Sequence, residues 1–354
     1  MGKRWKCKLE VLTPLHIGSE GKILPTQYVL NGDRIYVMKP EKMSEYLISR
    51  GLFDEYVRLA REGRGKLTEF LTKYGVRLEE VLKEGMFYYS ARRKVMGGEK
   101  EIMPCIKNPF FKPYIPGSTI KGMLRTAVMF RYLDKEGPGL WIRKVREKLN
   151  RPPQKKPAPK KFDDDFYLFD NFQLVDGVRW GPNTDIFRAL KVSDTGAWDG
   201  EIEIWELRVV HVKKGEQSPM WVEVIPEGAV LEFEVWVDDM VLEYFKRADR
   251  RRAERMEECM LNWMDAVREF TGKVKEKMQE IWGGKLKLED GDMRLGWGKG
   301  FFWNTLGVLL EESQVMKIRN WFYSRSRGDR FPLSVRMLED GRLPGWVNLE
   351  CLES

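Results

Sequence analysis

The chain has 354 residues, 42% of them hydrophobic, enough to bury two cores of ordinary domain size. Its formal net charge of +8 comes from 62 Lys and Arg against 54 Asp and Glu, which favours a polyanionic partner over an acidic protein or a small neutral substrate. Four widely spaced cysteines without a C-x-x-C pair, and only two histidines, exclude a zinc ribbon and give no disulfide framework, so no metal or cofactor is expected.

In chain order, Trp5, Cys7, Leu9 and Val11 alternate with Lys6, Lys8 and Glu10, the period of a half-buried strand. Thr13-Pro14 ends it, and a loop carrying His16 and Gly18 follows. Asn31-Gly32 between two short apolar runs predicts a hairpin, with Asp33 shaping its turn. Residues 41–85 show helical spacing interrupted at Gly51, Gly63 and Gly75, which predicts several short helices.

The charge is unevenly spread. Residues 92–161 hold 19 Lys or Arg and 5 Asp or Glu, a local balance of +14, leaving the rest of the chain at −6. A basic block in a mildly acidic chain predicts a phosphate footprint beginning at Arg92 and Arg93, although a solvated basic loop gives the same composition. Within it, Ser118 is the expected N-cap of a helix bearing Ile120, Leu124, Ala127 and Val128, with Lys121 and Arg125 four residues apart on one exposed face. A helix start with a hydroxyl and a lysine attracts phosphate, unless Ser118 only caps it. Residues 151–161, rich in Pro and Lys, predict an extended loop and a domain boundary, giving domains 1–160 and 161–354. Asp163, Asp164 and Asp165 are expected to form local ion pairs with that loop.

Three further runs, 202–212, 221–225 and 230–237, predict an antiparallel meander. One long helical run is expected from Asp238, with Met256, Met260, Trp263, Val267, Phe270, Val274, Met278 and Ile281 as its core stripe and a basic opening from Lys246 to Arg252. Gly296, Gly298 and Gly300 alternate with Trp297 and Lys299: either a tight turn, or a loop whose backbone approaches a sugar-phosphate chain, with a cation and a stacking face beside it. It is neither a P-loop nor the dinucleotide fingerprint. Strands over 334–338 and 346–352 close the chain, and the irregular mixture of elements predicts the α+β class. No apolar stretch approaches a membrane span, so a cytoplasmic location is expected.

Three segments together, Leu12-Thr13-Pro14-Leu15-His16-Ile17-Gly18-Ser19, Tyr114-Ile115-Pro116-Gly117-Ser118-Thr119-Ile120-Lys121-Gly122 and Arg294-Leu295-Gly296-Trp297-Gly298-Lys299-Gly300-Phe301, resemble the RAMP superfamily of CRISPR-associated proteins in content and order. Within it, the length and the segment Phe187-Arg188-Ala189-Leu190-Lys191-Val192-Ser193-Asp194 look like the fifth Csm subunits of type III-A effector complexes. The resemblance implies two ferredoxin-like, RRM-related domains with helical insertions. It also implies a non-catalytic subunit that binds guide RNA near its 3′ end beside the backbone and small helical subunits, in antiviral defence, with no small-molecule substrate. His16, Ser118, Lys121, Arg125, Gly296, Trp297, Gly298, Lys299 and Gly300 become candidate RNA contacts. The alternative is an endoribonuclease processing precursor guide RNA with His16 as general acid or base.

Overall fold

The computed structural model describes residues 2–63, 65–137, 139–150, 184–211, 215–322 and 331–354. Its strands are β1 (Arg4–Val11), β2 (Tyr28–Asn31), β3 (Arg34–Met38), β4 (Phe87–Arg93), β5 (Ile102–Met103), β6 (Leu190–Val192), β7 (Ile202–His211), β8 (Gly215–Val224), β9 (Val230–Val237), β10 (Met293–Arg294), β11 (Ser334–Leu338) and β12 (Trp346–Glu353). The helices are α1 (Pro40–Ser49), α2 (Phe53–Glu62), α3 (Leu67–Lys73), α4 (Leu78–Val81), α5 (Gly117–Glu136), α6 (Gly139–Asn150), α7 (Asp239–Ala248), α8 (Arg250–Leu261), α9 (Trp263–Trp282) and α10 (Glu312–Phe322). The class is mixed α+β.

The alternation in β1 is complete: Trp5, Cys7, Leu9 and Val11 are buried and the residues between them are exposed. One buried face fixes the register, because a slip of one residue would turn every apolar side chain to water. β1 is the middle strand of an antiparallel sheet ordered β10-β12-β1-β9-β6. Its inner face packs on Ile120, Leu124 and Val128 of α5 and on Trp263, Val267, Phe270 and Val274 of α9.

The second sheet runs β2-β3-β4-β7-β8-β5, with β11 also on β7; the β4–β7 and β5–β8 pairs are parallel. The hairpin at Asn31-Gly32 and the short helices α1 to α4 form as predicted, the helices broken at Gly51, Gly63 and Gly75, each at positive φ. α1, α3 and α4 pack their own core around Val29 and Met38. The proposed boundary at 160 and the segments 151–161 and 163–165 lie outside the described residues. Both sheets combine strands from either side of 160, and β1 sits between β12 and β9.

Three expectations change. The third strand of the meander, β9, joins the first sheet, because the Val11 amide donates to the Ala229 carbonyl and the Val11 carbonyl accepts from the Gly228 amide, which carries the chain from the Pro226-Glu227-Gly228 turn onto β1. The long helix is three helices: Asp238 and Asp249 each accept an amide hydrogen bond three residues on, starting α7 and α8 afresh. The stripe along α8 and α9 is core, as read.

The third change concerns cysteine. Cys7 and Cys351 face each other across β1 and β12 and form a disulfide, Cα–Cα 4.1 Å. The pair is separated by 344 residues, so no local spacing announces it.

Candidate functional site

Strands β1, β6 and β10 run in the same direction, since each is two antiparallel steps from the next. The loops that leave them therefore emerge at one end of the first sheet, where the second sheet begins through bridges Leu15↔Ile225 and Gly18↔Cys105. Those loops carry His16, Asp194 and the 296–300 glycines. Three motifs far apart in sequence are thus brought to one end of the fold.

His16 is buried at 3% exposure. Its Nδ1 donates to the Glu223 carbonyl oxygen at 2.7 Å, and its own carbonyl accepts from the Trp297 amide at 2.9 Å. A Cβ at Gly296, where φ is +76°, would lie 2.3 Å from that carbonyl. Glycine is therefore required there for two reasons, left-handed backbone and close approach. Gly296→Ala is expected to cost about 1–3 kcal/mol and to loosen the loop, read as a lower denaturation midpoint with a faster-exchanging Trp297 amide.

Burial holds the His16 imidazole below its usual value, against the pull of the Glu223 carbonyl and carboxylate. The ring is withdrawn from solvent, so a contact to RNA or a proton transfer by His16 would first have to uncover it. His16 positions the glycine loop.

Beneath it lies a polar cluster that sequence reasoning missed. Glu223 is fully buried; its carboxylate accepts from the Tyr89 hydroxyl at 2.6 Å, from the Cys105 amide at 2.8 Å and from the Lys107 ammonium. Its carbonyl also accepts from the Cys105 thiol at 3.0 Å. Burial, then the Glu223 carboxylate, pushes the Cys105 thiol up to about 12, so this Cys-His pair holds no thiolate.

The glycine loop itself carries unpaired charge. Arg294 enters it fully buried, donating twice to the Pro344 carbonyl at 3.1 and 2.9 Å beside the edge-to-face pair of Trp303 and Trp346. Burial, with Arg294 adding repulsion, pushes the Lys299 ammonium down to about 8. Arg336 on β11 lies along Gly298 and covers the Trp297 ring at 4.1 Å, its Nε buried without an acceptor. Among the described residues neither Lys299 nor Arg336 meets a carboxylate. A cleft of about 70 Å³ lies between them, lined by Gly298, Gly300 and Ser334.

At the start of α5 the expected cap changes hands. Ser118 is exposed and caps nothing; the Gly117 amide donates to Asp194 Oδ1 at 2.7 Å, so a carboxylate already occupies the helix start. Gly117 is obligatory, because a Cβ there would lie 2.5 Å from the Val192 carbonyl. Arg125 pairs with Asp185 at 2.7 Å and lies over Phe187. Lys121 is half-buried and lowered by burial, with no ion pair among the described residues.

Arg92 is exposed and pairs with Asp33 at 3.3 Å, while Arg93 donates to the Gly97 carbonyl at 3.0 Å. Both lie on β4. The described residues contain no cluster of His, Cys, Asp and Glu able to hold a metal and no helix long and apolar enough to cross a membrane.

A model of the RAMP superfamily matches residues 8–303. The chain belongs to the RAMP superfamily. This RAMP chain is similar to the CRISPR system Cms protein Csm5 of Streptococcus thermophilus, 22% identical over 251 residues that make up 66% of this chain and 64% of that protein. It is similar to the Csm5 protein of Mycobacterium tuberculosis (strain CDC 1551 / Oshkosh), 25% identical over 265 residues and 67% of each chain, and to that of Methanocaldococcus jannaschii, 28% identical over 61% of this chain and 53% of the relative. The matches thus span two thirds or less of these relatives' length.

Among solved structures, a chain of the cryo-EM Csm-crRNA-target RNA ternary complex of a type III-A CRISPR-Cas system superposes with a TM-score of 0.73 at 25% identity, covering 99% of this chain and 100% of that one. The crystal structure of T. onnurineus Csm5 shares the fold, with a TM-score of 0.65 at 22% identity over 96% of this chain and 99% of that one.

Proposed function

We propose that this RAMP protein is a non-catalytic guide-RNA-binding and assembly subunit of a type III-A CRISPR effector complex, lying near the 3′ end of the guide beside the backbone and small helical subunits. Similarity to Csm5 proteins and to a chain of a Csm-crRNA-target RNA complex supports the assembly. The first sheet supports a ferredoxin-like unit: β1, α5, β6, β9, α9 and β12 occur in this order with the other elements inserted between them, and β12-β1-β9-β6 is the strand order.

The observation that carries RNA binding is the cleft at the glycine loop. Two half-buried cations that meet no carboxylate among the described residues cost stability unless an anion completes them. Phosphate fits the volume and the charge, and the Trp297 ring, covered by Arg336, holds that guanidinium at the cleft. The open face of the first sheet is different: Lys8 lies between Glu232 and Glu350, and Lys6 beside Glu234, so its charges cancel across the strands. With His16 withdrawn from solvent, a holding role fits better than cleavage.

Fluorescence anisotropy with single-stranded RNA tests this reading. Replacing both Lys299 and Arg336 with alanine is expected to weaken binding at least tenfold and to flatten the dependence of log K on log salt by about 1–1.5, as two lost phosphate contacts require. Unchanged affinity and slope would overturn it. Because the site is destabilised by its own charge, Lys299→Met should raise the denaturation midpoint at pH 7 while lowering RNA affinity.

A further inference from the structure

The loop between β5 and α5 holds an aromatic side chain out into water by a rigid frame. Phe110 is 79% exposed. The loop around it is closed by the Lys107↔Pro113 bridge and by hydrogen bonds from the Asn108 amide to the Lys112 carbonyl, 2.9 Å, and from the Phe111 amide to the Asn108 carbonyl, 3.0 Å. The Asn108 side-chain oxygen accepts the amides of Phe110 and Lys112, both at 3.0 Å. Phe111 stands at φ +60°, the only non-glycine residue at positive φ among the described residues. A bulky residue there is strained and persists only where its surroundings fix it. Here they do: the Phe111 ring stacks on Tyr88 at 4.4 Å and on Tyr89 at 5.8 Å, and Tyr89 is tied to Glu223. Turning Phe111 inward by this route turns Phe110 outward.

A fixed, exposed ring costs little ordering entropy when it docks, which is how interface anchors gain affinity. The occupant is decided by charge. Lys107 is already paired with the buried Glu223, Lys112 pairs with Asp199, and Glu41 faces the Tyr88 hydroxyl. Two lysines against three carboxylates leave this side with no surplus positive charge for phosphate, the opposite of the cleft at Lys299. We infer that Phe110 is an anchor for a neighbouring protein subunit, inserted into an apolar pocket of that subunit, and that it does not stack on a nucleobase. The inference rests on the assembly role proposed above and adds the side chain that mediates it.

The test uses the full chain and the purified remaining subunits of a type III-A complex with guide RNA. Phe110→Ala and Phe110→Asp are expected to keep the wild-type melting temperature and the wild-type affinity of the isolated chain for single-stranded RNA within about twofold. Incorporation into the complex, followed by size-exclusion chromatography and native mass spectrometry, should fall at least tenfold, and Phe110→Trp should restore it. Variants that incorporate as well as the wild type would overturn the inference while leaving the assembly role standing. Loss of RNA affinity with intact incorporation would also overturn it and identify Phe110 as a base-stacking residue. A wild-type chain that fails to enter the complex overturns the assembly role and this inference together.

Discussion

Reducing the Cys7–Cys351 disulfide, or replacing Cys7 with serine, is expected to lower the urea midpoint by an amount worth about 2–4 kcal/mol. The bond closes a loop of nearly the whole chain, for which the chain-entropy argument gives an upper bound of about 6 kcal/mol. It also joins β1, the middle strand of the first sheet, to its neighbour β12, so opening it leaves that edge of β1 held by the strand pairing alone. The wild-type protein in reductant should match Cys7→Ser, and reductant should leave that variant unchanged. Four titratable thiols in the unreduced, denatured protein would contradict the pairing.

Glu223→Ala carries the other large effect. The carboxylate has no access to water and holds Lys107, Tyr89 and the Cys105 amide together, so its removal strands a nearly buried ammonium and two donors. Breaking a buried pair in this way costs about 3–5 kcal/mol. Glu223→Gln restores the shape and leaves the charge of Lys107 unmatched, and should fall between the two. The backbone carbonyl that holds His16 survives Glu223→Ala, but the Cys105 segment packed on that ring loses its carboxylate anchor, so RNA affinity should fall with stability as His16 and the Trp297 amide it holds shift. An alanine variant as stable as the wild type would remove the cluster from the account of how the glycine loop is positioned.

Proton linkage gives a smaller check. The His16 imidazole is lowered in the folded state, so the unfolded chain takes up its proton first as pH falls below about 6.5. Stability present above that pH is lost on acidification until the folded ring titrates. His16→Asn should flatten this part of the stability profile.

What could be read from the residues follows physical range. β1, the hairpin at Asn31-Gly32 and the breaks at Gly51, Gly63 and Gly75 are local patterns, and the structure repeats them. Glu223 was hidden for the same reason β1 was plain: between Val222 and Val224 it has the position of an outward-facing polar residue in an alternating strand. Only the fold shows that the Cys105 segment and His16 cover that face. Ser118 looked like a cap because Ser before an apolar run usually is one, whereas the carboxylate that serves comes from Asp194, far along the chain. Asp238 and Asp249 had the residue type of helix starters, yet the continuous apolar stripe concealed the breaks. Of the candidate contacts, Trp297 and Lys299 were legible as a ring and a cation among glycines, while Arg336, arriving from β11, had no sequence signal.

Ultraviolet crosslinking within the assembled complex tests most directly whether guide RNA is held at the glycine loop. Mapping both the crosslinked peptide and the end of the protected RNA should place the adduct on residues 294–301 or on the β11 peptide carrying Arg336, joined to nucleotides at the 3′ end of the guide. Crosslinks confined to the open face of the first sheet, or to the 5′ end of the guide, would contradict it.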